Sequence, residues 1–540
     1  TCLSCAIVPA NPIDTNPNVV SGQVAFEGLQ TSNASILQQS QQAIVDYNRF
    51  NLPEGSSVNF IQPNADAAIL NRITGADPSF LNGTINANGQ VYFVNPAGVT
   101  FGPDSVVRAD MFMAIAGDMA NSSFLRGEMN FLLGGTVENQ GYIEAQRGVA
   151  LLGRQVRNTG QIVAENGFAV LASGEEVLLQ PNGTSLAVQV TDSRGQDPAG
   201  GIGVENLGEV NGEEIMFSAG DAFATAIRHE GSARAGRSAR VHSDGGRIEV
   251  SGEILAGNQS GGGRIEVGGT DQGGEGAPAA SSVRVADSAV LDASAPGAGD
   301  GGHVVVWSDG QTEMYGSISA LAGAGGIGGY AEVSGHEVIF GPGGWNIMLG
   351  SGGHFLLDPV DIVIDATMAG NIISTLTAGT DYTLTTSGGG DAGNITVASA
   401  IEVNNVSNQG ILSLIADNDI IVNAALESAQ PIASGVDVFN LTAGNNIDVN
   451  ANIRAGTGAL ESQGAVSLTA GGSITLDGSI DSSNGPLSIR ATDDITLQSG
   501  KQLLAGGSGS GLLMDIVSDT GSVVFDGGVI QLFGDTDLYI

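Results

Sequence analysis

The sequence predicts an all-β chain and, within that class, a right-handed parallel β-helix: a solenoid closed by an N-terminal cap. Three observations predict it. Gly supplies 83 of 540 residues, aromatic residues are only 5% and charged residues 14%, so turns are frequent and conventional globular cores are few. Apolar residues come in short runs with period-two alternation, the pattern of strands. Those runs also recur at intervals of roughly 20–30 residues, the range in which a unit cannot bury its apolar face alone and must stack on a copy of itself.

The repeats are explicit. Val137-Glu138-Asn139-Gln140-Gly141-Tyr142-Ile143 returns 19 residues later as Val156-Arg157-Asn158-Thr159-Gly160-Gln161-Ile162, and again as Val204-Glu205-Asn206-Leu207-Gly208-Glu209-Val210. Gly-Arg-Ile-Glu-Val occurs at 246–250 and at 263–267. In the last third, Leu412-x-Leu414-x-Ala416 aligns with Phe439-x-Leu441-x-Ala443, Val466-x-Leu468-x-Ala470 and Leu487-x-Ile489-x-Ala491, at spacings of 27, 27 and 21. Each copy is followed by an Ile, at 420, 447, 474 and 495. Corner residues such as Asn418, Asn446 and Asp494 suit left-handed backbone geometry.

Within the first hundred residues, Asn86 to Gly102 reads NANGQVYFVNPAGVTFG. Val91, Phe93 and Val99 alternate as in strands, and Asn95-Pro96-Ala97-Gly98 lies between two apolar runs. Pro96 fixes its own φ and Gly98 tolerates positive φ, so the four residues read as a tight turn.

This turn and its surroundings resemble the two-partner secretion domain of filamentous haemagglutinin-like exoproteins of Gram-negative bacteria. The likeness rests on ordered motifs over about 80 residues: Ala43-Ile44-Val45-Asp46-Tyr47-Asn48-Arg49-Phe50-Asn51, Val58-Asn59-Phe60-Ile61-Gln62-Pro63, Leu70-Asn71-Arg72-Ile73-Thr74-Gly75, Pro78-Ser79, Asn88-Gly89-Gln90-Val91 and the turn itself. The family's turn usually reads NPNG, and Ala97 replaces its second Asn. Gln62-Pro63-Asn64-Ala65 stands about where some members carry NPNL. The resemblance implies strands over Gln38–Tyr47, although Leu37, Ala43, Ile44 and Tyr47 have partial helical spacing. It also implies extra strands or a short helix packed on the solenoid across 105–134, where Met111, Phe112, Met113, Phe124, Phe131 and Leu132 cluster. Further on, Gly301-Gly302-His303-Val304-Val305-Val306-Trp307-Ser308, Tyr315-Gly316-Ser317-Ile318 and Leu356-Leu357-Asp358-Pro359 resemble the middle of long haemagglutinin-like exoproteins.

The expected organisation is a secretion domain over 1–134 forming the cap and first coils, β-helix repeats over 135–365, and further repeats over 366–540 that continue beyond the chain. Residues 257–303, rich in Gly, Ala, Ser and Asp, read as an excursion or a degenerate coil.

The resemblance implies a secreted or cell-surface exoprotein. It would be exported by an outer-membrane β-barrel transporter whose POTRA domains bind it, and would act as an adhesin or structural rod toward an unidentified host, neighbouring-cell or matrix ligand. The residues it places in the secretion motif are Asn95, Pro96, Ala97, Gly98, Asn71, Arg72, Asn48 and Phe50. The competing reading is a β-helical polysaccharide lyase or hydrolase, which needs clustered carboxylates beside basic residues in one groove. Basic residues are sparse here, so no enzyme, catalytic residue, cofactor or metal site is expected.

Composition narrows the partners. A net charge of −39 opposes binding to nucleic-acid phosphates and to anionic lipid, and keeps an extracellular rod soluble. No apolar run is long enough for a membrane-spanning helix. Cys2 and Cys5 form one CxxC with no second pair, which fits a remnant beside a removed export signal or a small local disulfide better than a zinc or redox site. The five histidines, at 229, 242, 303, 336 and 354, show no ligand spacing. Gly507-Ser508-Gly509-Ser510-Gly511 lies in a Gly/Ser run and lacks the strand-turn-helix context of a nucleophile elbow.

Overall fold

The computed structural model describes residues 13–182, 185–191, 197–274, 278–341, 345–386, 393–403, 410–428, 436–455, 464–482, 485–506, 512–533 and 536–540. Cys2, Cys5 and the 507–511 run lie outside the described residues. The chain is a parallel β-helix that divides into two units, 1–257 with 263–292 and 258–262 with 293–540.

In the first unit each turn of chain contributes to three parallel ladders, and a single long strand such as Val106–Ile115 or Tyr142–Gly153 serves two of them. One ladder runs through Val99–Phe101, Thr136–Asn139, Gln155–Asn158, Asp197–Asn206, Phe223–His229 and Arg247–Val250. The repeats seen in the sequence stack in register: Val137 on Val156 on Val204, and Ile143 on Ile162 on Val210. A shift by one residue would turn this whole apolar column outward. The spacing from the second copy to the third is longer because the hairpin Glu176–Asn182 and Ser185–Thr191 leaves the coil between them.

Residues ahead of the first coil form the expected cap. Asn18–Ser21 and Val24–Glu27 pair antiparallel with Gln42–Tyr47 and Asn33–Gln38, so the first parallel strands do not present an open edge. Within Gln38–Tyr47, Gln38 ends one strand and Gln42–Tyr47 forms the next, so the stretch is strand rather than helix, as the family likeness implied.

On one ladder the outward-facing column is apolar for seven strands: Ile44, Leu70, Tyr92, Met113, Ala150, Val170 and Met216. A flap covers it. The flap is the antiparallel sheet of Gly117–Asp118, Met129–Leu133, Glu176–Asn182 and Ser185–Thr191, together with the short helix Asn121–Arg126. Phe124, Phe131, Leu133, Val177 and Leu179 bury against the column. The same column continues as Arg240 and Glu266.

On the ladder holding the Val-x-Asn-x-Gly-x-Ile copies, the outward column alternates in sign: Glu138, Arg157, Glu205, Arg228, Glu249, Arg284. Arg157 reaches Glu138 at 3.0 Å and Glu205 at 2.8 Å, and Arg228 reaches Glu249 at 3.1 Å. A coil skipped or doubled in this ladder would set like charges opposite each other, which is unfavourable.

Inside the corner, the Asn of each repeat forms a buried side-chain column. Asn139 donates to Asn158 (2.8 Å), Asn158 to Asn206 (2.7 Å), and Asn206 to His229 Nδ1 (3.0 Å). With Nδ1 accepting, His229 Nε2 carries the proton and donates to the Glu253 carbonyl (2.9 Å). His229 replaces the repeat's Asn and ends the column.

The second unit has three faces per coil. Leu412, Phe439, Val466 and Leu487 stack inward on one, and Ile420, Ile447, Ile474 and Ile495 on the next. Leu426, Ile453 and Ile480 stack on the third. The corner residues depart from expectation. Among the described residues only Gln272 has positive φ without being Gly, so Asn418, Asn446 and Asp494 are not left-handed. Their side chains bond between coils: Asn418 donates to Asn394 Oδ1 (2.9 Å), Asn446 Oδ1 accepts from the Ser473 N–H (2.9 Å), and Asp494 Oδ1 accepts from the Ser522 N–H (2.8 Å). The helix Ala366–Thr377 was not legible as a repeat. Asp365 caps it by accepting from the Met368 N–H, and Ala369, Ile372 and Leu376 form its buried stripe.

Burial pushes the His229 pKa down to about 4. The unfolded chain binds its proton near the ordinary ~6.5 while the folded chain stays neutral, so stability falls as pH drops from about 6.5 to about 4. The expected loss is on the order of 3 kcal/mol from this group. Denaturant midpoints measured across that pH range should show this loss in the parent and its removal in His229→Asn.

Candidate functional site

The structure brings the residues named by the likeness together in the first coils, on or just after three successive strands. Gln42–Tyr47 pairs with Ala68–Ile73, which pairs with Gln90–Val94. Tyr47 precedes the chain turn that carries Asn48 and Phe50. Asn71 lies beside Phe93, and Arg72 lies between Asp46 and Val94.

Asn95 is fully buried and organises the corner. Its side-chain nitrogen donates to the Asp77 carbonyl (3.1 Å) and to Ser79 Oγ (3.0 Å). Its Oδ1 accepts from the Ala97 N–H (2.9 Å), and its carbonyl accepts from the Gly98 N–H (3.0 Å). The Ser79 N–H then donates to the Gly98 carbonyl (3.0 Å). One side chain therefore closes its own turn and fastens it to the coil before. Gly98 has φ 121°, which requires Gly, and a Cβ there would also press on the Thr136 carbonyl oxygen at 3.1 Å. Pro96 and Ala97 are exposed at the tip.

Asn71 is also fully buried. Its Oδ1 accepts from the Tyr47 hydroxyl (3.2 Å), and its nitrogen donates to the Tyr92 carbonyl (3.4 Å). Burial raises the Tyr47 pKa well above its ordinary value, keeping that hydroxyl a donor. Phe50 fills the interior, edge-on to Tyr47 and to Phe93 with centroids 5.1 Å apart in each case. Asn48 is exposed; its N–H donates to Asp14 in the cap (2.8 Å). Arg72 lies on the outward side and ties the flap down: it donates to the Met119 carbonyl and pairs with Asp118 (3.2 Å) and Asp46 (3.6 Å).

The sequence places Gln62 and Asn88 in the ordered motifs but assigns neither a role. Gln62, buried, donates to Gln38 Oε1 (3.0 Å) and the Ala67 carbonyl (2.9 Å), and Asn88 clasps the Gln62 backbone from both sides, at 2.8 Å each. Two polar residues in strand-like stretches were the available signal, since burial of an amide demands partners. Among the described residues no group of three or more His, Cys, Asp or Glu is placed to hold a metal ion, and no helix is long and apolar enough to cross a membrane.

Residues 12–250 match the TPS secretion domain family. A heme/hemopexin-binding protein of Haemophilus influenzae is 29% identical over 123 residues, 23% of this chain and 13% of that protein. A second protein of that name and species is 31% identical over 90 residues, 17% of this chain and 10% of that protein. The matches thus span about a tenth of the length of these curated relatives. Among solved structures, the HMW1 secretion domain from Haemophilus influenzae is 21% identical with a TM-score of 0.46, covering 62% of this chain and all of that one. A filamentous hemagglutinin secretion domain is 14% identical with a TM-score of 0.28, covering 63% of this chain and all of that one. The matched family places a two-partner secretion domain over residues 12–250, and proteins carrying that domain are secreted or surface-exposed.

Asn95→Ala should destabilise the purified protein by about 2–3 kcal/mol, because it leaves buried hydrogen-bond partners unmet. Gly98→Val should cost at least as much, by strain at positive φ. Ala97→Asn, at the exposed tip, should stay within about 0.5 kcal/mol of the parent. Denaturant unfolding of the three variants beside the parent measures these differences.

Proposed function

We propose that residues 1–134 are the export signal, read in extended form by the POTRA domains of an outer-membrane β-barrel transporter. The coils that follow, 135–365 and 366–540, are the exported cargo, an adhesive or structural rod rather than an enzyme. The observation that carries the first part is the burial of the motif: Asn71 and Asn95 are fully buried and Phe50 nearly so. A folded domain offers a reader Pro96, Ala97 and Asn48 from this set, with part of Arg72. Asn71, Asn95 and Phe50 meet a partner only before the coils close.

The fold supplies a direction for export. Each emerging coil finds a parallel edge on the coil already folded and buries its apolar column against it, which makes return unfavourable. Low charge density and small side chains suit passage of an extended chain through a narrow barrel. The match to a secretion domain rather than to an enzyme family supports the non-enzymatic reading, and the sparse basic residues agree with it.

The test compares Asn95→Ala, Asn71→Ala and Ala97→Asn in a strain carrying the cognate transporter, with refolding of each purified variant in parallel. The expected result is that Asn95→Ala and Asn71→Ala lower secretion more than their refolding yields predict, while Ala97→Asn is exported at the parental level. Parental secretion of both buried-site variants would overturn recognition of the motif. Secretion that tracks refolding variant by variant would make the motif purely structural.

A further inference from the structure

The second unit contains a cavity that the export reading does not use. It measures about 360 Å³, within the ~300–1,000 Å³ range of small-molecule sites. One wall is Trp345 with the strand Asn346–Met348 after it; the opposite wall is the helix Ala366–Thr377.

Trp345 is a fixed platform. Its ring stacks on the buried Tyr382, with centroids 5.6 Å apart and planes at 17°. Phe340 meets it edge-on at 4.9 Å and Phe355 lies tilted at 5.7 Å. Leu321 and Met348, both exposed, stand at the rim. From the helix, Asn371 and Ser374 line the other side, Ser374 exposed and Asn371 half-buried.

Among the described residues, none of the side chains lining this cavity is ionisable, in a chain with a net charge of −39. A charged ligand would lose its hydration here without gaining a counter-charge, and an anion would also meet the field of the chain. A purely apolar ligand would leave the Asn371 amide and Ser374 hydroxyl without use. The combination suits a ring with one apolar C–H face and a hydroxyl edge.

We propose that this cavity binds a neutral glycosyl residue of an oligosaccharide. The C–H face of the pyranose lies toward Trp345 and Met348, and its hydroxyls bond to Asn371 and Ser374. No charged group takes part, so recognition is independent of ionic strength. The proposal stands apart from the export reading, since it is tested on purified protein with no transporter present.

Trp307→Phe leaves Trp345 as the single tryptophan of the full chain, whose two are Trp307 and Trp345. Its fluorescence is followed while neutral gluco-, galacto-, manno- and N-acetylhexosamine oligosaccharides are titrated in. The expected result is a saturable change with at least one of them, unaltered between about 50 mM and about 500 mM salt, because no exposed ion pair is there to be screened. Ser374→Phe, which fills the cavity from an exposed helix position without adding a tryptophan, should weaken that binding at least about tenfold, and Asn371→Ala should weaken it in the same direction. Circular dichroism of both variants checks that the fold is kept, and Asn371→Ala carries the test if Ser374→Phe does not fold. No saturable change with any of the neutral oligosaccharides would overturn the proposal. So would parental affinity in the folded variants, or binding confined to charged glycans and lost with salt.

Discussion

In a parallel β-helix the peptide groups of one coil are satisfied by the coils on either side of it. A backbone N–H or C=O left without such a partner inside the stack would cost about as much as a lost buried hydrogen bond. The corners of this chain follow from that constraint. Where the chain turns, ladder bonding lapses, and side chains take it up. Asn95 does so beside the first coils, Asn139, Asn206 and His229 do so further along the first unit while also bonding along their side-chain column, and Asp361, Asn394 and Asp419 do so in the second. In each case a short amide or carboxylate reaches one coil away, about the 4.8 Å spacing of paired strands. Asn and Asp have the length for that reach, which explains their abundance at corners better than left-handed geometry does.

The inward columns were legible because their period is fixed by stacking. Val137, Val156 and Val204 align in the sequence and lie on one another in space, as do Ile420, Ile447, Ile474 and Ile495. The outward side was less legible. Apolar residues there, such as Leu70, Tyr92 and Met113, look like any strand residue until the flap is seen to cover them. The flap itself comes from two distant segments, 117–133 and 176–191, whose pairing is antiparallel and outside the repeat. No local period announces such a contact. The alternating Glu–Arg column also escaped notice, because its members lie 19 to 48 residues apart and alternate only when the strands are placed side by side.

The secretion-motif residues divide in the same way. The sequence names them as a group through a family likeness, but gives them one role. The structure gives them three. Asn95 and Asn71 bond buried backbone across coils, Phe50 packs the interior, and Arg72 holds the flap to the solenoid. Pro96, Ala97 and Asn48 are exposed, and Arg72 is partly so. The Ala97 departure from the family's turn falls at an exposed tip. Its backbone N–H, which any residue but proline supplies, makes the bond to Asn95, so the turn closes without an Asn there.

These roles bear on how a domain can be both a signal and the first part of a fold. A signal recognised by its folded surface would place its distinguishing side chains outside. Here they lie inside, and the same residues that would be read on an extended chain become the bonds that end its availability. Closing the Asn95 corner buries Asn95 and at the same time presents Val99–Phe101 as a parallel edge for Thr136–Asn139. On the reading proposed above, recognition and folding compete for one set of groups, and the growth of the stack decides the competition in favour of the folded chain. No separate energy source is required for that step beyond the apolar surface and backbone bonds that each new coil adds.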